Sequence, residues 1–165
     1  MGKTCAFLGN DYDKLWNIEL GHNTPPGLKE KIKEQVINLI ENEGVDTFFV
    51  GEIGGYEKDA YDVVLEVQKE YPQISVILII SKMTELNEFG IDESDYVAHR
   101  RDFDDFILPD KCATGYKKLC VVYRNRFIIE SVDFIIAYNQ RQGRAYEFCK
   151  AAKGKGVKVI ELAES

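Results

Sequence analysis

FFVGEIGGYEKDA, residues 48–60, is the stretch that decides the fold. It begins as an apolar run of the strand type, breaks into three glycines within five residues, and resumes with apolar residues at helical spacing as far as Tyr71. Strand, glycine turn and helix form the unit with which α/β proteins bring backbone N–H groups close to a phosphate. The spacing Gly-x-x-Gly-Gly is neither the dinucleotide fingerprint nor the Walker A motif, so a tight turn without a ligand explains these glycines equally well.

The composition is that of one globular domain. The 165 residues are 45% hydrophobic and 30% charged, enough to bury a sizeable core. No linker or repeat interrupts the chain, so we expect a single domain over residues 1–165. The formal net charge of −7 is spread along the sequence and argues against nucleic acid as the main partner, because nucleic-acid binders carry a basic face.

The four cysteines and two histidines form no metal-binding pattern. No two cysteines have the Cys-x-x-Cys spacing of a zinc site, so we expect no metal and no cofactor. Lys3 leads straight into a strand-like run, which predicts no export signal and a cytoplasmic protein with reduced thiols. The longest apolar run, residues 74–80, is too short to cross a bilayer, so we expect no membrane partner.

The remaining patterns alternate between strand and helix. Strands are predicted at residues 4–8, 45–50, 74–80, 103–108, 133–138 and 157–162. Helices are predicted from Thr24, as N-cap, to Gly44, from the glycine turn to Pro72, over residues 111–131, and from Ala145 to Gly154. The nearly continuous apolar run at 74–80 indicates a strand buried on both faces. The sequence therefore predicts an α/β fold, a three-layer α/β/α Rossmann-like sandwich on a mostly parallel sheet.

Glycines and polar residues follow the predicted strands at the end where such sheets bind ligands. These exits are Gly9-Asn10, residues 51–55, Ser81-Lys82 and residues 139–143. The connections at 11–23 and 81–101 are polar with exposed aromatics, which would also suit a protein-interaction scaffold. The convergence of the four strand exits at one edge of the sheet is the main reason to expect a site there.

Two further motifs are unusual for a scaffold. Arg124-Asn125-Arg126 lies within a predicted helix with apolar neighbours, and the planar fork of arginine suits phosphate or carboxylate. A solvated helix face is the alternative, and residues two apart face different sides, so the pattern does not say which arginine points inward. Gly143-Arg144 precedes a helix whose first turn holds Glu147, which indicates either an anion site or an acid favoured by the helix dipole.

These motifs together resemble the SLOG superfamily, the Rossmann-like group that includes the Lonely-guy phosphoribohydrolases and DNA-processing protein A, and most closely its YpsA-like branch. The resemblance spans nearly the whole chain and rests on residues 7–10, 49–60, 123–133 and 143–152. Two departures stand out. Glu52 replaces a usual glycine, and the Gly-Gly-x-Gly-Thr-x-x-Glu motif of the phosphoribohydrolases is reduced to Gly143-x-x-x-Glu147, which favours binding over hydrolysis.

The resemblance implies a pocket for a nucleotide or nucleotide-derived small molecule. Its expected ligand-binding residues are Gly9, Asn10, Gly51, Glu52, Gly54, Gly55, Arg124, Asn125, Arg126, Gly143 and Arg144. The alternative is an enzyme that cleaves the N-glycosidic bond of a nucleoside monophosphate, with Glu147 acting on water and Arg124 placing the phosphate. Whether the protein is an enzyme stays open, and relatives that pair through helices leave a homo-oligomer open as well.

Overall fold

The computed structural model describes residues 2–9, 24–51, 54–81, 103–139 and 143–163. The elements in chain order are β1 (Lys3–Gly9), α1 (Leu28–Glu43), β2 (Val45–Val50), α2 (Gly54–Glu70), β3 (Ser75–Ile79), β4 (Asp105–Ile107), α3 (Asp110–Thr114), a 3-10 turn (Lys117–Leu119), α4 (Cys120–Ser131), β5 (Phe134–Tyr138), α5 (Gly143–Gly154) and β6 (Lys158–Glu161). The predicted connection at 11–23 lies outside the described residues, and so does the predicted connection at 81–101 apart from Ser81.

The six strands form one sheet of order β4-β3-β2-β1-β5-β6, and every neighbouring pair is parallel. β1 lies inside the sheet, where Ala6 pairs with Phe49 of β2 on one side and with Ile135 of β5 on the other. From β1 the chain extends the sheet through β2, β3 and β4, and then returns to the opposite side at β5. The strand order therefore reverses between β1 and β5, which is the topological switch point of an open α/β sheet.

Helices cover both faces of the sheet and confirm the predicted three-layer sandwich. On one face α1 and α2 pack with inward side chains of the strands, including Ile32, Val36, Val64, Phe7, Phe48 and Val76. On the other face α4 and α5 pack against the alternate strand residues, including Ile128, Ile129, Cys149, Ala6, Leu8 and Ile135. None of the helices in the described ranges has the length and apolar character needed to cross a bilayer.

The prediction for the start of α1 is wrong by one turn. The helix begins at Leu28 after Gly27, whose φ of 79° is left-handed, and Thr24 is not its N-cap. Each residue before a proline is kept out of the helical region, so the pair Pro25-Pro26 forms a turn instead of a first helical turn. The Thr24 hydroxyl donates to Asp59 Oδ2 at 2.6 Å, which ties this turn to α2. Gly44 ends α1 as predicted, with φ 75°.

The single helix predicted over residues 111–131 is also wrong, because the chain breaks it after Thr114. Gly115 is extended, with φ −85° and ψ −174°, and a 3-10 turn follows before α4 begins. For one continuous helix the spacing of the sequence predicts an apolar stripe formed by Tyr116, Leu119, Cys120, Tyr123 and Phe127. The break resets the helical phase, so this stripe does not face the sheet as a whole. Its first members, Tyr116 and Leu119, are 61% and 41% exposed. The buried face of α4 is instead formed by Cys120, Arg124, Asn125, Ile128 and Ile129.

Candidate ligand-binding edge

Each crossover carries the chain from the end of one strand to the start of the next, so its helix begins at the carboxyl edge of the sheet. α1 follows β1. α2 follows β2, α4 follows β4 by way of α3, and α5 follows β5. Helix N-termini carry partial positive charge and backbone N–H groups that the helix itself does not satisfy. Gly143 opens α5 with a φ of 83°, a left-handed conformation that favours glycine. The edge therefore combines several anion-attracting helix ends.

A buried ion pair crosses the carboxyl end of β2 and joins the two helical layers. Glu57 lies in the first turn of α2, and Arg124 lies on α4 on the opposite face of the sheet. Arg124 Nη1 donates to Glu57 Oε2 at 3.0 Å, and Arg124 Nη2 pairs with Glu57 Oε1. The side chains are 1% and 5% exposed. This two-pronged geometry is the strongest arrangement of arginine with a carboxylate, so it fixes α2 against α4.

Asn125 extends the ion pair into a small polar network. Its Oδ1 accepts a hydrogen bond of 2.7 Å from Arg124 Nη1, and the residue is 6% exposed. The Arg124 Nε atom is buried and has no hydrogen-bond partner, and the same holds for Ser81 Oγ just beyond β3. Most buried polar groups in proteins are hydrogen-bonded to other protein groups or to ordered water, so an unpaired one points to a water or an ion as its partner. Two such unpaired groups therefore lie near the carboxyl ends of the adjacent strands β2 and β3.

Because Gly51 has no side chain, the ion pair can occupy the space next to its Cα atom. A Cβ atom placed on this residue would overlap Arg124 Nη2 and Glu57 Oε1, and would lie 3.3 Å from Arg124 Cζ. Gly51 has no positive φ, so close approach and not backbone conformation requires glycine here. The packing of the Glu57–Arg124 pair therefore explains why residue 51, the first glycine of the opening motif, is glycine, without any ligand.

Gly9, at the end of β1, is covered in the same way by Tyr56 from the first turn of α2. A Cβ atom on Gly9 would overlap the Tyr56 ring. The ring is buried, it stacks on Tyr138 with centroids 5.9 Å apart, and its hydroxyl donates to the Ile136 carbonyl at 2.8 Å. Tyr56 therefore draws the start of α2 over the ends of β1 and β5, which places this helix N-terminus beside the switch point.

The structure separates the two arginines of the Arg-Asn-Arg motif. Arg124 is buried in the ion pair, whereas Arg126 is exposed. Arg126 lines a cavity of about 430 Å³ between α4 and the segment after β4, together with Lys111 and Tyr123. Its guanidinium therefore belongs to the outer side of α4 and not to the network around Gly51.

The predicted residues of α5 lie at the surface. The prediction that Glu147 lies in the first turn of this helix is wrong, because α5 begins at Gly143, two residues before the predicted start. Gly143, Arg144 and Glu147 are exposed, and Glu147 Oε2 is 3.7 Å from Lys150 Nζ one turn later. Glu147 shares a second cavity, of about 320 Å³, with Arg126. No described contact brings Glu147 to Arg124, so the structure gives the catalytic assignment no paired geometry.

The other predicted ligand-binding residues are partly described. Gly54 and Gly55 form the first residues of α2, and Gly55 is half-buried. Asn10 and Glu52 lie outside the described residues. Across the described ranges, no group of three or more His, Cys, Asp or Glu side chains is placed to hold a metal ion.

Sequence reasoning missed Glu57 as the partner of Arg124, although the signal was present. Glu57 is spaced four and seven residues from Tyr61 and Val64, which places its carboxylate on the buried stripe of α2. Arg124 occupies the matching position between Cys120 and Ile128 on α4. Opposite charges on two buried stripes indicate an ion pair, because an isolated buried charge is costly.

The all-parallel sheet, its two helical layers and the polar carboxyl edge define a Rossmann-like α/β protein. Residues 21–156 match a family model described as the YspA SLOG family. This match spans well over half of the sequence, so the chain belongs to the YspA SLOG family, and the predicted resemblance is confirmed. No curated protein matches the chain. Membership of this family suggests a nucleotide-related binding role or a glycosidase-like role.

Proposed function

We propose that the protein binds a nucleotide or nucleotide-derived small molecule at the carboxyl edge of its sheet. The observation that carries the proposal is the position of two helix N-termini on either side of the switch point between β1 and β5. α2, drawn over these strands by Tyr56, begins at Gly54, and α5 begins at the left-handed Gly143. A phosphate at this point would meet unsatisfied backbone N–H groups and the positive ends of two helix dipoles.

In this proposal Arg124 positions the site and does not act as a mobile cation. Its charge is already compensated by Glu57, and the pair is almost fully buried. Glu57 belongs to the same helical turn as Gly54 and Gly55, so the pair holds the backbone N–H groups of that turn in a fixed orientation. Preorganised donors of this kind raise affinity because less ordering is needed on binding.

Glycine amide resonances provide a direct test, because the chain has glycines at both edges of the sheet. We expect titration with adenine and guanine nucleotides to shift the amides of Gly51, Gly55 and Gly143 in a ¹⁵N-labelled sample. Gly44 and Gly156, which precede β2 and β6 at the amino edge, are the matched controls and should not move. A saturating nucleotide at 100 times its Kd should also raise the free energy of unfolding by about 2.7 kcal/mol.

The proposal is abandoned if neither adenine nor guanine nucleotides shift the carboxyl-edge amides or the melting temperature. Equal shifts at Gly44 and Gly156 would indicate nonspecific binding and would count against it as well. Shifts confined to residues lining the cavity beside Arg126 would move the ligand to the outer side of α4.

The N-glycosidic hydrolase alternative has no specific geometric support in the described residues. Glu147 is 69% exposed and adjacent to Lys150, whereas a general acid or base acts best within hydrogen-bond reach of a held substrate. Binding without hydrolysis is therefore the function that the geometry supports best.

A further inference from the structure

We infer that Cys112 and Cys120 form a site of reversible oxidative modification, at which a small-molecule disulfide closes a Cys112–Cys120 disulfide. The inference is independent of the nucleotide site. It rests on how the two thiols face each other, on the exposed segment that joins them, and on the contrast with the other two cysteines of the chain.

The two residues face each other across the junction of α3 and α4. Cys112 Sγ donates to the Cys120 carbonyl at 3.4 Å, and Cys120 Sγ donates to the Cys112 carbonyl at 3.8 Å. This reciprocal pair of contacts means that each thiol lies against the backbone of the other cysteine. A disulfide forms between side chains on neighbouring backbone segments, and these two contacts place both thiols between the same two segments.

The surroundings of the pair provide a route for reagents. Both residues are buried, at 5% and 3% exposure, so the thiols react only when the junction opens. α3 is a single short turn, and the residues exposed at and beyond its end are Ala113, Thr114, Tyr116, Lys118 and Leu119, with Tyr116 61% exposed. Segments with few buried contacts open locally at a lower free energy than global unfolding requires.

Cys5 and Cys149 provide internal controls because they lie in the packed core. Burial of the Cys5 thiol within β1 raises its pKa far above the usual range. Burial also raises the pKa of Cys149, on α5, to about 11. Since the thiolate is the reacting form, both should stay unmodified while the protein is folded.

The chemistry is thiol–disulfide exchange and needs only a small-molecule disulfide as oxidant. One thiolate attacks a sulfur of the oxidant, forms a mixed disulfide and expels one thiolate of the reagent. The second cysteine, after losing its proton, attacks the protein sulfur and expels the other reagent thiolate. Two protein thiols and one small disulfide thus become one protein disulfide and two small thiols.

The test is treatment of the folded chain with oxidised glutathione, followed by alkylation and non-reducing peptide mapping. We expect two of the four thiols to disappear, a linked peptide pair containing Cys112 and Cys120, and full reversal by dithiothreitol. The loss should be at least about tenfold faster than modification of Cys5 and Cys149, because these require larger opening.

Serine variants sharpen the result. Cys112→Ser should stop at a glutathione adduct on Cys120, and Cys149→Ser, the matched control, should still lose two thiols as the unaltered chain does. Three outcomes would overturn the inference: a stable adduct on the unaltered chain without ring closure, a disulfide that links other cysteines, or four intact thiols until denaturant unfolds the protein. The mapping of the unaltered chain decides the matter even where a variant fails to fold.

Oxidation at this site would act on the cavity beside Arg126. Lys111, adjacent to Cys112, lines that cavity, and its ammonium lies 6.0 Å from the centroid of the Tyr123 ring. A disulfide would fix α3 against α4 and so hold this wall of the cavity. Slower hydrogen exchange at the amides of α3 in the oxidised protein is the expected signature.

Discussion

Replacing Arg124 with methionine is expected to lower the free energy of unfolding by about 3–5 kcal/mol, because it leaves the Glu57 carboxylate buried without the guanidinium that compensates it. A domain of this size is stable by only about 5–15 kcal/mol, so this loss is a large part of the total. Urea unfolding followed by circular dichroism measures the effect, with the slope of the transition used to check that the unfolded states stay comparable.

The double variant Glu57→Leu/Arg124→Met separates two contributions to the free energy of unfolding: the loss from leaving one buried charge unpaired, and the net stabilisation from the intact pair. Because both charges are removed together, we expect stability to return to within about 1 kcal/mol of the unaltered protein, or above it. The exposed pair of Lys155 and Glu130, 3.5 Å apart, provides the control. Lys155→Met should change stability by no more than about 1 kcal/mol. An Arg124→Met variant as stable as this control would show that the pair is not buried in solution.

The fold could be predicted from the sequence because its signals are local and repeated. The bounds of β2, residues 45–50, match the prediction, since this run has strand character and glycine on both sides. The buried run at 74–80 indicated a parallel sheet, and β3 pairs in parallel on both sides. A strand buried on both faces needs apolar side chains throughout, which makes it visible without any knowledge of its partners.

The helix errors have a different origin, because they depend on single backbone conformations. A stripe drawn from Tyr116 to Phe127 assumes one continuous helix, and the break at Gly115 invalidates the helical phase on its two sides. The start of α1 depends on how two successive prolines restrict the residues before them. The spacing of apolar residues does not predict such breaks, although it predicts well which face of a long helix is buried.

The candidate site was predicted in part, because strand exits follow from the topology and side-chain partners do not. The exits after β1, β2, β3 and β5 lie at one edge, as any parallel sheet requires. The Glu57–Arg124 contact joins residues 67 positions apart on opposite layers, which no local pattern specifies. The sequence therefore predicts the edge of the sheet at which the candidate site lies. The structure shows that protein side chains approach two of the glycines expected to contact a ligand, Gly9 and Gly51.

Gly51→Ala is the second variant for which we expect a large effect, a loss of about 1–3 kcal/mol in the free energy of unfolding. The added Cβ would overlap the ends of Arg124 and Glu57, and these ends are held in a buried pair with little room to move. The matched control is Gly154→Ala at the end of α5, where a Cβ would meet no atom within 4 Å. There we expect a change near zero or a gain of about 0.4–1 kcal/mol.

Combining Gly51→Ala with the double variant at positions 57 and 124 tests whether close packing against the ion pair is what requires glycine at position 51. Residues in contact show interaction energies of about 0.5–3 kcal/mol, so the cost of the added methyl group should differ in the two backgrounds by an amount in that range. Equal costs would mean that Gly51 and the pair do not contact each other. If instead Gly51→Ala leaves stability unchanged but abolishes the nucleotide-induced amide shifts, the glycine is kept for a ligand and not for the ion pair.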